Sequence, residues 1–193
     1  MAHWYPPLPP ERERTLLAQI PRHPEAFRPL YEHYFPRVYA YVASRVGSTQ
    51  DAEDVTATVF LKAMESLATF EYRGPGAFAA WLFRIAVHGI SESYRSDARR
   101  QAVPLAELTD LPGPDLPPDV AFAEKEQAQR LAQALATLSP RRQEVIRLRF
   151  FGGLRNHEIA AVLDLDERTV ASHLCRGLDD MKRLYEQEGA IHE

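Results

Sequence analysis

Residues 152–185 read GGLRNHEIAAVLDLDERTVASHLCRGLDDMKRLY, and the spacing predicts two helices joined by a tight turn. Ile159, Val162 and Leu163 recur at the i, i+3, i+4 interval of an amphipathic helix. Asp164-Leu165-Asp166 then breaks the pattern, with Leu165 able to plug a core and Asp166 able to cap the second helix. In that second helix Val170, Leu174, Leu178 and Met181 share a face, while Arg168, Ser172 and Arg176 point away from it. Small Ala160 and Ala161 stand where the two helices must approach closely. This pattern suits a helix-turn-helix whose second helix enters a DNA major groove. An ordinary helical hairpin has the same spacing, so the rest of the chain must decide.

The chain has 193 residues, enough for one domain or two small ones. No run of 18 apolar residues and no basic-then-apolar leader is present, which reads as a soluble, intracellular, cytoplasmic protein without membrane insertion. The single cysteine, Cys175, excludes an internal disulfide framework. Cys175, His157, His173 and His192 do not make a zinc set, and neither a metal nor a cofactor is expected. No nucleophile–base pair stands out, so an enzyme is not expected.

A net charge of −4 argues against a basic coat for nucleic acid, yet the charge is unevenly spread. Residues 73–100 carry 5 positive and 2 negative side chains, whereas residues 101–130 carry 2 and 6. Positive charge is concentrated in Arg73–Arg100 and Arg141–Arg149, which suggests two local phosphate contacts.

Taken in order, residues 1–10 form a proline- and aromatic-rich tail containing Trp4 and Tyr5. A helix is predicted over Glu11–Gln19, and a second opens at Pro24-Glu25. Its buried stripe is Phe27, Leu30, Tyr31, Tyr34, Val38, Tyr41 and Val42, with Pro36 bending or dividing it. The next helix starts at Asp51, Glu53 and Asp54, acids favoured at the positive end of a helix dipole. It continues through Val55, Val59, Phe60, Ala63, Met64 and Leu67. Phe70–Gly76 is a loop by composition.

In the helix after it, Phe78, Trp81, Leu82, Ile85 and Gly89 form a core face. Arg84, His88, Ser91 and Arg95 make a narrow stripe beside that face, with Trp81 at the border. A basic, hydrogen-bonding stripe edged by an aromatic is what single-stranded DNA requires, because charges follow phosphates and rings stack on unpaired bases. A solvated arginine face with Trp81 in the core is the alternative. Residues 102–120 hold five prolines and four acids and read as a flexible acidic linker. Helices return at Val120 and at Ser139-Pro140. The fold class is all-α, two small helical bundles joined by that linker, with 11–101 in front, 121–185 behind and 186–193 as a tail.

Two stretches resemble one family. FRPLYEHYFPRVYAYVASRVG, DAEDVTATVFLKAMESLATF and AFAAWLFRIAVHGISESYRSDARR look like region 2 of the sigma-70 family of RNA polymerase sigma factors, extracytoplasmic-function (ECF) group. LATLSPRRQEVIRLRFFGGLRNHEIAAVLDLDERTVASHLCRGLDDMKRL resembles region 4. The resemblance implies a transcription initiation factor that binds the polymerase core, at its clamp helices and flap, and recognises promoter DNA. Asp51, Glu53, Asp54, Val55 and Phe60 would dock on the core. Phe70, Tyr72, Arg73, Trp81, Arg84, His88, Ser91 and Arg95 would hold the opened −10 element. Arg168, Thr169, Ala171, Ser172 and Arg176 would read the −35 element, with Cys175 as an apolar neighbour. An anti-sigma factor is the implied regulator. The chain departs from the family's usual residues at Ala57-Thr58, Val87-His88, Glu92 and Arg155. Two other functions fit the residues: a stand-alone helix-turn-helix regulator, and a degenerate sigma-like protein that titrates a partner.

Overall fold

A computed structural model of the chain describes the backbone of residues 8–97 and 118–189, and side chains within 8–94 and 127–186. Eight α-helices and no strand occur among the described residues. The tail residues Trp4 and Tyr5, most of the acidic linker and the last four residues lie outside them.

Helix α1 spans Pro10–Gln19. Pro10 itself opens it, since a proline at the first position has no N–H to leave unpaired. A 3₁₀ turn over Pro24–Ala26 leads into α2, Phe27–Ala43. Pro36 sits inside α2 without dividing it. Helix α3, Thr49–Ser66, begins two residues before the acidic cluster. Ser48 is its cap: the Asp51 N–H donates to Ser48 Oγ at 3.1 Å, and the Ser48 hydroxyl returns a bond to the Asp51 carboxylate at 2.7 Å. After a 3₁₀ turn at Leu67–Thr69 and the Phe70–Gly76 loop comes α4, Ala77–Asp97.

The back half holds α5, Pro118–Ala136; α6, Pro140–Phe150; α7, Asn156–Leu163; and α8, Glu167–Gly189. Helix α5 therefore starts at Pro118, inside the stretch read from the sequence as linker. Ala134 and Leu135 in its last turn, with Leu138 just beyond it, pack on Ile146 of α6 and Met181 of α8.

Both bundles are present, and they are docked on each other. Leu30, Tyr34, Val38 and Tyr41 of α2, Val55 and Val59 of α3, and Phe78, Leu82, Phe83 and Ile90 of α4 form one buried cluster. Val145 and Leu148 of α6, Leu154 of the turn that follows it, Ile159 and Val162 of α7, and Val170 of α8 belong to the same cluster. Helix α4 is consequently covered on two sides, by α3 and by α7. That explains why Phe83, which lies off the face read from the sequence, is fully buried. Two residues assigned to buried stripes are in fact exposed, Tyr31 on α2 and Leu178 on α8. The second helix of a short hairpin has a face wider than its neighbours can cover, and Leu178 lies at that rim.

Candidate nucleic-acid interface

The turn between α7 and α8 is built by backbone geometry. Asp164 adopts a left-handed conformation, φ 54°, and the Leu165 N–H reaches back to the Ala160 carbonyl at 3.0 Å. Leu165 packs on the main core. Asp166 caps α8: its carboxylate accepts the Thr169 hydroxyl at 2.6 Å and the Thr169 N–H at 2.8 Å. Those bonds hold the Asp166 carboxyl below its ordinary range. Thr169 is therefore engaged in the cap rather than free for a base.

On the outer face of α8, Arg168, Ala171, Ser172, Cys175 and Arg176 are all exposed, while Val170 and Gly177 are buried behind them. The aliphatic and hydroxyl groups lie between two arginines, the mixture that major-groove base edges and phosphates require. Half-buried His173 lies beside this face. Burial, then Arg142, Arg141 and Arg176, push its imidazole below the ordinary value, so it stays neutral among the arginines.

Helix α7 opens on half a capping box. The Arg155 N–H donates to Glu158 at 2.6 Å, but an arginine side chain has no acceptor to return the bond. The departure at Arg155 therefore removes one hydrogen bond from the start of the hairpin.

The front face is less uniform. Phe70, Phe78 and Trp81 form an aromatic cluster: Phe70–Trp81 centroids are 5.0 Å apart, and Phe78–Trp81 centroids 5.6 Å. Trp81 is half-buried at the rim of this cluster. Tyr72 donates its hydroxyl to the Pro10 carbonyl at 3.4 Å, and Arg73 pairs with Glu71 at 3.0 Å. Arg84 and His88 are exposed. The Arg84 guanidinium donates to the Ala161 carbonyl of α7. The Ser91 hydroxyl bonds back to the Val87 carbonyl at 2.9 Å. Arg95 lies on the same helix, with its side chain outside the described residues.

On α3, Asp51 is tied into the cap while Glu53 and Asp54 are exposed. Val55 and Phe60 are buried. They hold α3 on the core, so their assignment as docking residues is corrected: they position the surface and do not present it. The apolar side chains that α3 does present are Leu61, 59% exposed, and Met64, 53% exposed. Leu61 lies next to Phe60 in a helix, so one residue of rotation separates core from surface. Only the packing of α2 and α4 settles which is which.

Sequence reasoning also missed a polar seam. Arg37, in the middle of the buried α2 stripe, donates from Nε to the Gly152 carbonyl at 2.9 Å and from Nη2 to the Gly153 carbonyl at 3.1 Å. Its guanidinium lies over the Tyr34 ring, 5.1 Å from the centroid. Tyr41 and Arg45 both bond Glu144 of α6. The signal available was a lone arginine in an apolar run, FPRVYAYV, which marks a charge that must find partners.

Among the described residues no group of three or more His, Cys, Asp and Glu is placed to hold a metal ion. None of the described helices is long and apolar enough to cross a membrane.

Residues 30–100 match the family profile Sigma-70 region 2, and residues 128–181 match Sigma-70, region 4. The ECF RNA polymerase sigma factor BldN of Streptomyces coelicolor is 33% identical over 160 residues. That match covers 83% of this chain, and the chain spans 60% of that relative's length. The ECF RNA polymerase sigma factor RpoE of Cereibacter sphaeroides is 30% identical, over 82% of this chain and 85% of the relative. The solved structure of CnrH in complex with the cytosolic domain of CnrY superposes with a TM-score of 0.69 at 25% identity, covering 91% of this chain and 98% of that one. The chain belongs to the extracytoplasmic-function group of the sigma-70 family.

Proposed function

We propose that this chain binds the core of a bacterial RNA polymerase in the cytoplasm and directs it to promoters carrying a −35 and a −10 element. The observation that carries this reading is the pair of exposed basic faces, Arg168, Ser172 and Arg176 on α8 and Arg84 and His88 on α4, each on a separate helical bundle. The α8 face meets the −35 duplex, where two arginines and small side chains suit the major groove. The α4 stripe, with Arg95, holds the non-template strand once it opens. The Phe70–Gly76 loop receives an extruded base, and extruding it costs a few kcal/mol that the pocket and the arginines offset. Exposed Glu53, Asp54, Leu61 and Met64 on α3 form the core-docking surface, with Asp51 at its edge. Polymerase supplies the covalent chemistry.

Regulation by an anti-sigma factor is supported by the CnrH–CnrY structure, in which a protein of the same fold is held by a cytosolic partner domain. The test is a pull-down of core polymerase with the full chain, followed by run-off transcription from a promoter library. Core-dependent transcripts from a shared pair of promoter elements are expected. Binding of the free chain to duplex DNA with no effect on polymerase would favour a stand-alone regulator instead.

A further inference from the structure

We propose that the cleft between Arg45 and Arg147 is a binding site for a phosphate group, free or carried by a small metabolite. It lies apart from both DNA-reading faces and does not depend on the promoter reading.

The cleft opens beside the contact of Tyr41 with Glu144 and has a volume of about 340 Å³. Ser44, Arg45 and Tyr94 line it from the front bundle, and Gln143, Glu144 and Arg147 from α6. Arg147 is the residue that asks for a ligand. It is 8% exposed, and an arginine buried that far is almost always paired. Here its Nη1 donates to the neutral Gln143 Oε1 at 2.9 Å, and its Nε is buried with no partner. No carboxylate pairs with it among the described residues, because Glu144 is taken by Arg45 and Tyr41. Burial, then the charge of Arg45, holds the Arg147 guanidinium down to about 10. The second cause means that two cations lie close enough to repel.

The neutral groups of the cleft are already satisfied. The Tyr94 hydroxyl donates to the Arg45 carbonyl, the Ser44 hydroxyl to the Tyr41 carbonyl at 2.7 Å, and Gln143 Nε2 to the Leu138 carbonyl at 2.8 Å. What remains unused is guanidinium N–H. Arg45 spends Nη1 on Glu144 and makes no other side-chain hydrogen bond among the described residues, although an arginine carries five such donors. Two cations against one carboxylate leave the lining with a net charge of +1. Pro140, the first residue of α6, lines the cleft as well, and the Ser139 side chain makes no capping bond. The positive end of the α6 dipole therefore borders the same space uncapped.

An anion in this cleft offsets the cost of burying Arg147 and screens it from Arg45. A tetrahedral phosphate fits the two arginines better than a carboxylate does. Its oxygens point in several directions and accept from two forks at once, whereas a carboxylate presents two oxygens in one plane to a single fork. The volume is at the low end of ligand sites, which run from roughly 300 to 1,000 Å³. That suits a phosphate with a small carrier, and the open side of the cleft gives the carrier a way out to solvent.

Isothermal titration calorimetry of the full chain with inorganic phosphate, and separately with glycerol phosphate, tests the site. Ionic strength is held constant with sodium chloride, so that screening is the same throughout. One-to-one binding is expected, weakened at least about tenfold by Arg147→Gln and by Arg45→Gln, as loss of a charge-assisted partner does. Arg168→Ala combined with Arg176→Ala on α8 should leave it unchanged. Phosphate should also raise the thermal midpoint of the wild type and not that of Arg147→Gln. Tighter binding of the ester than of the free ion marks a carried phosphate, and the reverse marks phosphate itself. Arg147→Gln gives up no ion pair, so its helices should persist in circular dichroism. If they are lost, Arg147→Lys, which keeps the charge without the fork, takes its place. No saturable binding of either compound, or equally tight binding after Arg147→Gln, would overturn the site. Duplex DNA whose affinity falls as far as that of phosphate in Arg147→Gln would assign the cleft to the nucleic-acid backbone and overturn the small-ligand proposal.

Discussion

Tyr41 of α2 donates its hydroxyl to the carboxylate of Glu144 on α6, a pair separated by 103 residues of chain. Arg45, in the turn that follows α2, bonds the second oxygen of the same carboxylate. Burial pushes the Tyr41 hydroxyl up to about 12, so it remains a donor throughout the physiological range. Burial, then the neighbouring Arg45, lowers the Arg147 guanidinium to about 10, which still leaves it charged at pH 7. Glu144 thus pairs with half-buried Arg45 and accepts from buried Tyr41. Glu144→Ala leaves Arg45 without its carboxylate and Tyr41 without its acceptor, and is expected to cost about 3 kcal/mol, the scale of a broken buried pair. Tyr41→Phe removes one neutral donor and should cost about 1 kcal/mol. Chemical denaturation of the two variants and their double mutant measures both, and a positive coupling between them is expected.

Gly152 lies at the crossing of the seam, where a Cβ would meet the Leu148 carbonyl at 2.8 Å and Phe83 Cε1 at 2.8 Å. A backbone carbonyl cannot step aside. Gly152→Ala is expected to cost about 1–3 kcal/mol through overpacking. Gly177 makes the control, because the one close approach of a Cβ there would be to Ile146 Cδ1, at 2.7 Å, the flexible end of a side chain, with Ile146 Cγ1 and Arg142 Cβ at ordinary contact distances of 3.6 and 3.7 Å. Alanine also gains about 1 kcal/mol of helix propensity over glycine inside α8. Gly177→Ala should therefore be near neutral in thermal denaturation, and equal losses at both positions would contradict the packing described.

Glu13 is 3% exposed and accepts the Tyr34 hydroxyl. Burial raises its carboxyl above the ordinary 4.5, and the opposing Tyr34 bond and Arg37 charge do not cancel that effect. A raised carboxyl binds its proton more tightly in the folded chain than in the unfolded one. Its contribution to stability is complete below pH 4.5 and is lost as pH rises through the folded value. Glu13→Gln keeps an acceptor for Tyr34 and removes the titration. The variant should gain on the wild type as pH rises from 4.5 to 7, read as the difference between paired thermal melts. A difference independent of pH would contradict the assignment.

Arg168 and Arg176 are exposed and lie outside the core. Replacing either with alanine should change folding stability by less than about 0.5 kcal/mol. In the polymerase holoenzyme each substitution should weaken binding of a −35 duplex and lower the magnitude of its log–log salt slope by about 1, as loss of one phosphate contact does. Unaltered footprints over the −35 element would remove α8 from promoter reading.

Local patterns were readable from sequence wherever one helix decided the matter. The hairpin turn, the Asp166 cap, the α4 core face and the exposed arginines of α8 all follow from spacing within a few residues. The seam did not announce itself, because Tyr41, Phe83 and Glu144 acquire their roles only when α6 and α7 land on α2 and α4. Phe83 looked off-face since one helix in isolation shows a single buried side, and α4 has two. Val55 and Phe60 were misassigned for the related reason that an apolar helix residue reads alike in a core and on a docking surface. The same ambiguity, with opposite outcome, placed Tyr31 and Leu178 in buried stripes.

The central claim is that the α4 stripe holds an opened promoter strand. It is tested most directly by promoter opening in reconstituted holoenzyme, followed with 2-aminopurine in the −10 element, for the wild-type chain and for Arg84→Ala combined with Arg95→Ala. The account predicts normal assembly with core, a retained −35 footprint and at least about a tenfold loss of opening, a free-energy change near 1.4 kcal/mol. Opening at the wild-type rate and extent with both arginines gone would contradict it.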